Sequence, residues 1–338
     1  MERHTFAVCA YKDSPYLEEC IKSLKRQSVP SEIIVCTSTP SEYIREMAER
    51  YDLPLYVREG KSDIQDDWNF ACEKASGRLV TIAHQDDCYH RDYAKWVQDC
   101  WENYPDTTVF TTDCLIVKER KLGVGEVQEP GLEQRHDEAQ KADEKLGAGE
   151  VQKVDESQRS GEVRKPVDES QRSGEVQKPD EVQKSGRMQK ADESQRSGEV
   201  QKPGLVQFVK MILRLPLRFR KYADRTWVKK AALVFGNPII CPSCTYDKDA
   251  LGVPLFDSEY KFALDWDTMW KLAERPGRFV CVERPLIRYR IHEEATTKAC
   301  IKDHRRSQEE AAMYGKIWPK PVVKVLMFFY KRAYAAYD

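Results

Sequence analysis

Short apolar runs alternate along the first third of the chain with longer stretches whose apolar positions recur every three or four residues. Thr5-Phe6-Ala7-Val8-Cys9-Ala10 predicts a first strand. A polar turn, Tyr11-Lys12-Asp13-Ser14-Pro15, leads into a helix over 16–27, where Leu17, Cys20, Ile21 and Leu24 fall at helical spacing. A second strand is expected over 32–36 and a helix from the Ser41 turn through Tyr51. Further strands are expected over 55–57, 79–83 and 108–111, and helices over 66–75, ended by Gly77, and 91–104. Strands alternating with helices predict βαβ units. The expected class is α/β with a mostly parallel, Rossmann-like sheet flanked by helices.

The pattern stops at about residue 119. From there to 204 a unit recurs: Val154-Asp155-Glu156-Ser157-Gln158-Arg159-Ser160-Gly161, again from Val167, and again from Ala191-Asp192-Glu193-Ser194. Large aliphatic side chains are nearly absent, so little surface could be buried against the entropy of ordering. The expectation is a disordered tandem-repeat insertion.

Apolar patterning resumes at 205–221, a basic amphipathic segment. Its apolar face is expected to pack on the sheet with Lys and Arg solvated; the alternative is contact with an anionic membrane surface. A helix over 227–234, another over 265–274, a strand over 278–282 and a C-terminal amphipathic helix over 322–337 complete the reading. The expected organisation is 1–118 and 205–300 as two halves of one domain, 119–204 as the insertion, and 301–338 as C-terminal helices.

Composition changes this picture in two respects. Among 338 residues 41% are apolar, enough for a core, but 33% are charged, which agrees with a polar tract inserted in a folded protein. A net charge of -1 gives no surplus for nucleic-acid binding. Eleven cysteines, with no signal-like segment after Met1, lead us to expect reduced thiols and a cytoplasmic location, peripheral contact with the membrane's inner face staying open. Cys241-Pro242-Ser243-Cys244 lacks a second ligand pair for zinc and is expected instead to border a pocket near Ser243.

Candidate chemistry centres on Thr81-Ile82-Ala83-His84-Gln85-Asp86-Asp87, an apolar strand ending in two adjacent carboxylates. Ligands of open α/β sheets bind at the carboxyl ends of strands. Paired carboxylates there repel unless a proton or cation offsets them, and a hard divalent ion shared with phosphate does so. The simpler reading is a solvated turn in which Asp87 or Asp92 caps the next helix.

The order of pieces resembles the family 2 glycosyltransferases of the GT-A fold. The resemblance rests on Phe6-Ala7-Val8-Cys9-Ala10-Tyr11-Lys12-Asp13, Glu32-Ile33-Ile34-Val35, Asp67-Trp68-Asn69-Phe70-Ala71, His84-Gln85-Asp86-Asp87, Leu264-Asp265-Trp266-Asp267 and Pro285-Leu286-Ile287-Arg288-Tyr289-Arg290-Ile291-His292. It covers residues 4–118 and about 225–300. It implies a metal-dependent, inverting transfer of sugar from a nucleotide-diphospho-sugar, a UDP-sugar first among them, to a glycan or lipid-linked hydroxyl, as in cell-surface polysaccharide or glycolipid synthesis. It implies Mn²⁺ or Mg²⁺ at Asp86 and Asp87, with His84 and His292 as further ligands. Donor contacts are implied at Ala10, Tyr11, Asp13, Ser38, Asn69, Gln85 and Arg290. Asp265 is implied as the general base, Asp267 being the alternative; the two side chains diverge by about 200° on a helix.

Three departures stand out. His84 replaces an acid, Leu264 replaces a glutamate, and Cys36-Thr37-Ser38-Thr39 stands where the family carries acidic residues. A sugar-phosphate nucleotidyltransferase and an inactive scaffold presenting the repeats are the alternatives. The first wants a glycine-rich phosphate loop after the first strand, and 10–14 contains no glycine.

Overall fold

A computed structural model describes residues 4–119, 198–200, 205–292 and 305–334. β1 (His4–Ala10) lies between β2 (Glu32–Thr37) and β4 (Leu79–His84), with β3 (Leu55–Val57) beyond β2, and these four strands are parallel. Their near-continuous burial is what strands covered on both faces require. The covering helices are α1 (Leu17–Lys25), α2 (Glu42–Arg50), α3 (Ile64–Lys74) and α4 (Tyr93–Asn103). α1 buries the Leu17, Cys20, Ile21 and Leu24 row, as its spacing predicts. Ser41 caps α2, its hydroxyl accepting from Ile44 N at 3.2 Å. α3 starts earlier than expected because Asp63 caps it, accepting from Gln65 N.

Beyond β4 the sheet becomes mixed. Its order is β3-β2-β1-β4-β8-β6-β9-β5, with β5 at Cys88–Tyr89, β6 at Thr107–Glu119, β8 at Thr245–Asp247 and β9 at Arg278–Ile291; β7 (Gly198–Val200) pairs with β6 off this path. β8, unforeseen in the sequence, runs antiparallel between β4 and β6. β6 and β9 are far longer than their expected cores at 108–111 and 278–282. They stay paired in parallel past an irregularity at Asp113 and Pro285, where proline supplies no N–H, and on through charged sequence that hides the strand. Gly277 allows the turn into β9: its φ is +107°, and a Cβ there would lie 2.2 Å from the Thr108 methyl.

A buried polar chain crosses these layers. His4 Nε2 lies 2.8 Å from Thr81 Oγ1, Thr81 2.6 Å from Thr245 Oγ1, and Thr245 3.0 Å from the Tyr93 hydroxyl. Burial pushes the His4 imidazole down to about 3, so it is neutral in the folded protein.

Helices α5 (Leu205–Arg218), α6 (Thr226–Leu233), α7 (Lys248–Leu251), α8 (Leu264–Glu274), α9 (Arg305–Ile317) and α10 (Lys320–Tyr334) belong to the second half. α5 corrects an expectation. Its cations, not its apolar stripe, face the protein: Arg214 pairs with Asp113 on β6, Arg218 with Glu283 on β9, while Phe208, Ile212, Leu215 and the following Phe219 are exposed. Asp113 favours this orientation, because it is partly buried and would lose its partner beside an apolar face; Glu283 is half exposed and contributes less. Ser243 is also corrected. It is fully buried and bonded to Thr111 at 2.8 Å, part of the core and not a pocket rim.

The described ends of the repeat tract lie side by side. β6 and β7 are antiparallel, with Val117 opposite Val200 and Glu119 opposite Gly198. The remainder of the tract, on which the expectation of disorder falls, lies outside the described residues.

Candidate active site at the carboxyl end of β4

β4 ends at His84, and the next three residues turn tightly, Asp87 N donating to His84 O at 3.2 Å. β5 follows at once and zips antiparallel onto β9, Cys88 opposite Arg288. Alternation along β9 then sends Arg288 and Arg290 to one face, towards α1. Arg290 Nη2 reaches Glu19 Oε2 at 2.6 Å, and the Arg290 guanidinium covers the Tyr16 ring, 4.4 Å from its centre. Asp87 does not cap α4. Its Oδ1 accepts from Arg290 N at 3.0 Å, tying the acidic turn to β9. His292 follows β9, and its Nε2 lies 3.0 Å from Asp86 Oδ2, with its ring against Tyr16.

His84, Asp86 and Asp87 each offer a ligand atom within 4.8 Å of the others. Two of these side chains carry buried polar atoms without a hydrogen-bond partner, His84 Nε2 and Asp87 Oδ2. Such orphans are costly unless something binds them. Burial pushes the Asp87 carboxyl well up, and the neighbouring Asp86 charge adds to it. Burial also opposes ionisation of Asp86, but the His292 hydrogen bond leads the contacts that outweigh it and hold Asp86 below the usual carboxylate range. The two carboxyls are thus pushed apart, Asp87 towards its protonated form and Asp86 towards its ionised form. Burial lowers His84, leaving it neutral and able to donate a lone pair. These residues fit a divalent cation.

His84 is held from behind. Its ring stacks on Trp68, 5.4 Å between centroids at 30°, and Trp68 meets Phe256 edge-on at 5.0 Å. Asn69 fixes that backing: its Oδ1 accepts from Leu255 N and Phe256 N, and its Nδ2 donates to Phe256 O at 2.6 Å. The amide is thus engaged with the 255–256 backbone, which places Asn69 behind the cluster and not among the donor contacts the resemblance implied.

On the other flank, Gln85 brackets the loop after β1. Its Oε1 accepts from Tyr11 N and its Nε2 donates to Tyr11 O, both at 2.9 Å. Lys12, at φ 54°, is fixed by donating its N–H to Thr39 Oγ1 at 2.8 Å. Ala10 is buried at the strand end, and Tyr11 and Asp13 project from the turn, exposed. Ser38 donates to Asp67 Oδ2 at 2.8 Å, and Asp67 Oδ1 takes Arg58 Nε at 2.7 Å. An acid from α3 thereby reaches the corner where the second strand supplies none, a placement that strand-by-strand reading could not foresee.

Asp265 sits in the first turn of α8, and the segment leading into that helix is held from α9. Glu309 Oε2, from α9, accepts from the N–H groups of Lys261, Phe262 and Ala263 at 3.0, 2.6 and 2.9 Å. Asp265 takes Trp266 N on Oδ1 at 2.7 Å and Asn237 Nδ2 on Oδ2 at 3.0 Å. Burial dominates its titration and pushes it up to about 6, the Trp266 and Asn237 bonds and Lys210 pulling the other way. Asp267 points elsewhere: it is buried against Lys316 and Lys271, at 3.1 and 3.2 Å. Lys210 of α5 and Cys241 both lie within electrostatic reach of Asp265. Lys210 also acts on Cys114, which feels Asp87. Sequence reasoning missed Asn237, Glu309 and Lys210. Asn237 lies between Gly236 and Pro238, a turn composition, whereas nothing local marks the other two.

This arrangement lies at the carboxyl ends of parallel strands, where α/β sheets bind their ligands. Residues 5–122 match the family described as glycosyl transferase family 2, so the family read from the residues is borne out over 118 of the chain's 338 residues. The second stretch of the resemblance, 225–300, lies outside that match.

Among solved structures, Staphylococcus aureus TarS 1-349 is 19% identical with a TM-score of 0.31, and the alignment covers 38% of each chain. The mannosyltransferase PcManGT from Pyrobaculum calidifontis, in complex with GDP-Man and Mn²⁺, is 14% identical with a TM-score of 0.48, over 96% of this chain and 68% of that one. Glucosyl-3-phosphoglycerate synthase from Mycobacterium tuberculosis, with Mn²⁺ and UDP, is 12% identical with a TM-score of 0.30, over 33% of this chain and 43% of that one. A comparison with curated proteins found no match.

Proposed function

We propose that this chain is a glycosyltransferase that moves a sugar from a nucleotide-diphospho-sugar to an acceptor hydroxyl by single displacement with inversion. The observation that carries the reading is the pair of orphaned buried atoms, His84 Nε2 and Asp87 Oδ2, beside Asp86 at the end of β4. Asp86, Asp87 and His84 would hold a divalent cation, Mn²⁺ suiting an imidazole ligand better than Mg²⁺. When bound, the cation supplies positive charge against the donor diphosphate.

The chain's own residues account for the rest. Tyr11 and Asp13, on the loop bracketed by Gln85, flank the space for the nucleoside, and Ala10 and Ser38 line its inner edge. Arg290, with one guanidinium nitrogen unpartnered, and His292 face the diphosphate and favour its departure. Asp265 takes the proton of the acceptor hydroxyl as that oxygen bonds to the anomeric carbon and the carbon–phosphate oxygen bond breaks. A carboxylate raised to about 6 is both ionised and basic at neutral pH. Lys210 on the inner face of α5 supports an anionic or phosphate-bearing acceptor, as a lipid-linked glycan would be. UDP is the first candidate nucleotide, and peripheral membrane contact belongs to the same reading.

The test is a thermal-shift screen of nucleoside diphosphates with Mn²⁺. UDP with Mn²⁺ should raise the midpoint more than either alone. If no nucleoside diphosphate does so, the reading fails.

A further inference from the structure

α5 is built the wrong way round for a helix whose neighbour is water. Phe208, Ile212, Leu215 and Phe219 recur at steps of four, three and four, forming one stripe on the solvent side, where Phe208 is 52% and Phe219 67% exposed. Leu217, on the opposite face, is fully buried, and Arg214 and Arg218 turn inward to Asp113 and Glu283. The charged face of this helix is turned towards the protein, with Arg214 buried and Arg218 at the rim on a half-exposed Glu283. The face left outside is apolar.

Charge around the stripe is one-sided. Residues 205–225 hold six Lys or Arg and a single acid, Asp224. Past the end of the stripe, Lys221 is exposed beside the Tyr222 ring and Arg225 is 66% exposed. Trp227, 69% exposed, stands just after them. An apolar row ending in cations and amphipathic aromatics is the composition of a helix lying in the headgroup boundary of a bilayer. Among the described residues no helix is long and apolar enough to cross a membrane, so the contact is lateral.

We infer that the outward stripe of α5 rests in the surface of an anionic lipid bilayer, with Lys221 and Arg225 on the headgroup phosphates. The inference rests on the peripheral-contact part of the proposed function, not on the transfer chemistry. It gives that contact a use. Lys210, on the inner side of the same helix, acts electrostatically on Asp265, so the bilayer and the base sit on opposite faces of one helix. An acceptor anchored in the membrane then reaches the base by passing one helix diameter, about 10 Å.

Flotation of the full chain with phosphatidylcholine vesicles, with and without phosphatidylglycerol, tests this. Binding is expected to the anionic vesicles, weaker to neutral ones and weaker in high salt. The double variant Phe208→Ser, Phe219→Ser should lose about tenfold or more of its partition while keeping its thermal transition, since both side chains are largely exposed. Lys221→Glu with Arg225→Glu should abolish the preference for anionic vesicles. The inference is overturned if the full chain does not float with anionic vesicles or if the serine variant floats like the parent. It is equally overturned if light scattering shows a dimer that the serine variant turns into monomer, which would assign the stripe to a second copy. Flotation is read without donor, so its failure leaves nucleotide binding intact, and failure of nucleotide binding leaves flotation intact.

Discussion

Asn237 Nδ2 lies 3.0 Å from Asp265 Oδ2 and orients a carboxylate whose other oxygen takes Trp266 N in the first turn of its own helix. Burial raises Asp265 to about 6 in spite of both bonds. Its folded pKa is above the unfolded value, so stability present at low pH is lost as pH rises from about 4 to about 6. Asp265→Asn should therefore cut turnover by about a hundredfold or more while leaving the thermal midpoint at neutral pH unchanged or higher. In the parent, kcat/KM should fall about tenfold per pH unit below about 6. A variant with near-normal turnover would move the base elsewhere.

Cation binding should release a proton. Burial and the Asp86 charge push the Asp87 carboxyl well up and favour its protonated form. Mn²⁺ affinity should fall as pH falls, and titration calorimetry in two buffers of different ionisation heat should give about one proton released per ion. Asp86→Asn should weaken Mn²⁺ by about tenfold or more. Buffer-independent heats would contradict the assignment.

Glu309 is expected to matter for folding out of proportion to its place on a surface helix. Three N–H groups converge on one of its oxygens. Glu309→Ala should cost about 1–3 kcal/mol in denaturant unfolding. A loss within experimental scatter of zero would mean that water replaces it.

His4 should give the protein an acid limit. Its folded pKa, about 3, is depressed from 6.5, so stability is complete above the unfolded value and falls as pH drops below about 6.5. The slope should approach about 1.4 kcal/mol per pH unit from this residue alone. Denaturant unfolding at successive pH values should show it, and His4→Asn should flatten it while lowering stability at neutral pH. An unchanged slope in the variant would place the acid limit in other groups.

Replacing residues 121–196 by a short Gly/Ser linker should leave the thermal transition and the nucleotide-induced shift in place. Loss of the transition would overturn the division of the chain into a split domain and an insertion.

The parallel half of the sheet was legible because its strands are pure apolar runs and α1 and α2 are cleanly amphipathic. Asp86, Asp87 and His84 were legible for the same reason, as a polar break at the end of such a run. β8 and the extensions of β6 and β9 were not, since Thr245, Asp113 and Arg288 are polar residues stabilised by partners distant in sequence. Asn69 was legible as important but not in its role: a motif reports a position, and only the 255–256 backbone reveals what its amide holds. The orientation of α5 was read backwards. Periodicity shows that a helix has two faces, and the ion pair with Asp113 favours the one that turns inward.

The β6–β7 pairing has a consequence for heredity. Because Glu119 sits opposite Gly198, the chain leaves and re-enters the sheet at one point. The β6–β7 register is set by these paired residues and not by the number of units between them. Near-identical neighbouring units, such as those from Val154 and Val167, are the substrate on which replication slippage acts. Length variants of this tract are therefore expected to arise readily, each entering and leaving the sheet at the same pair of residues.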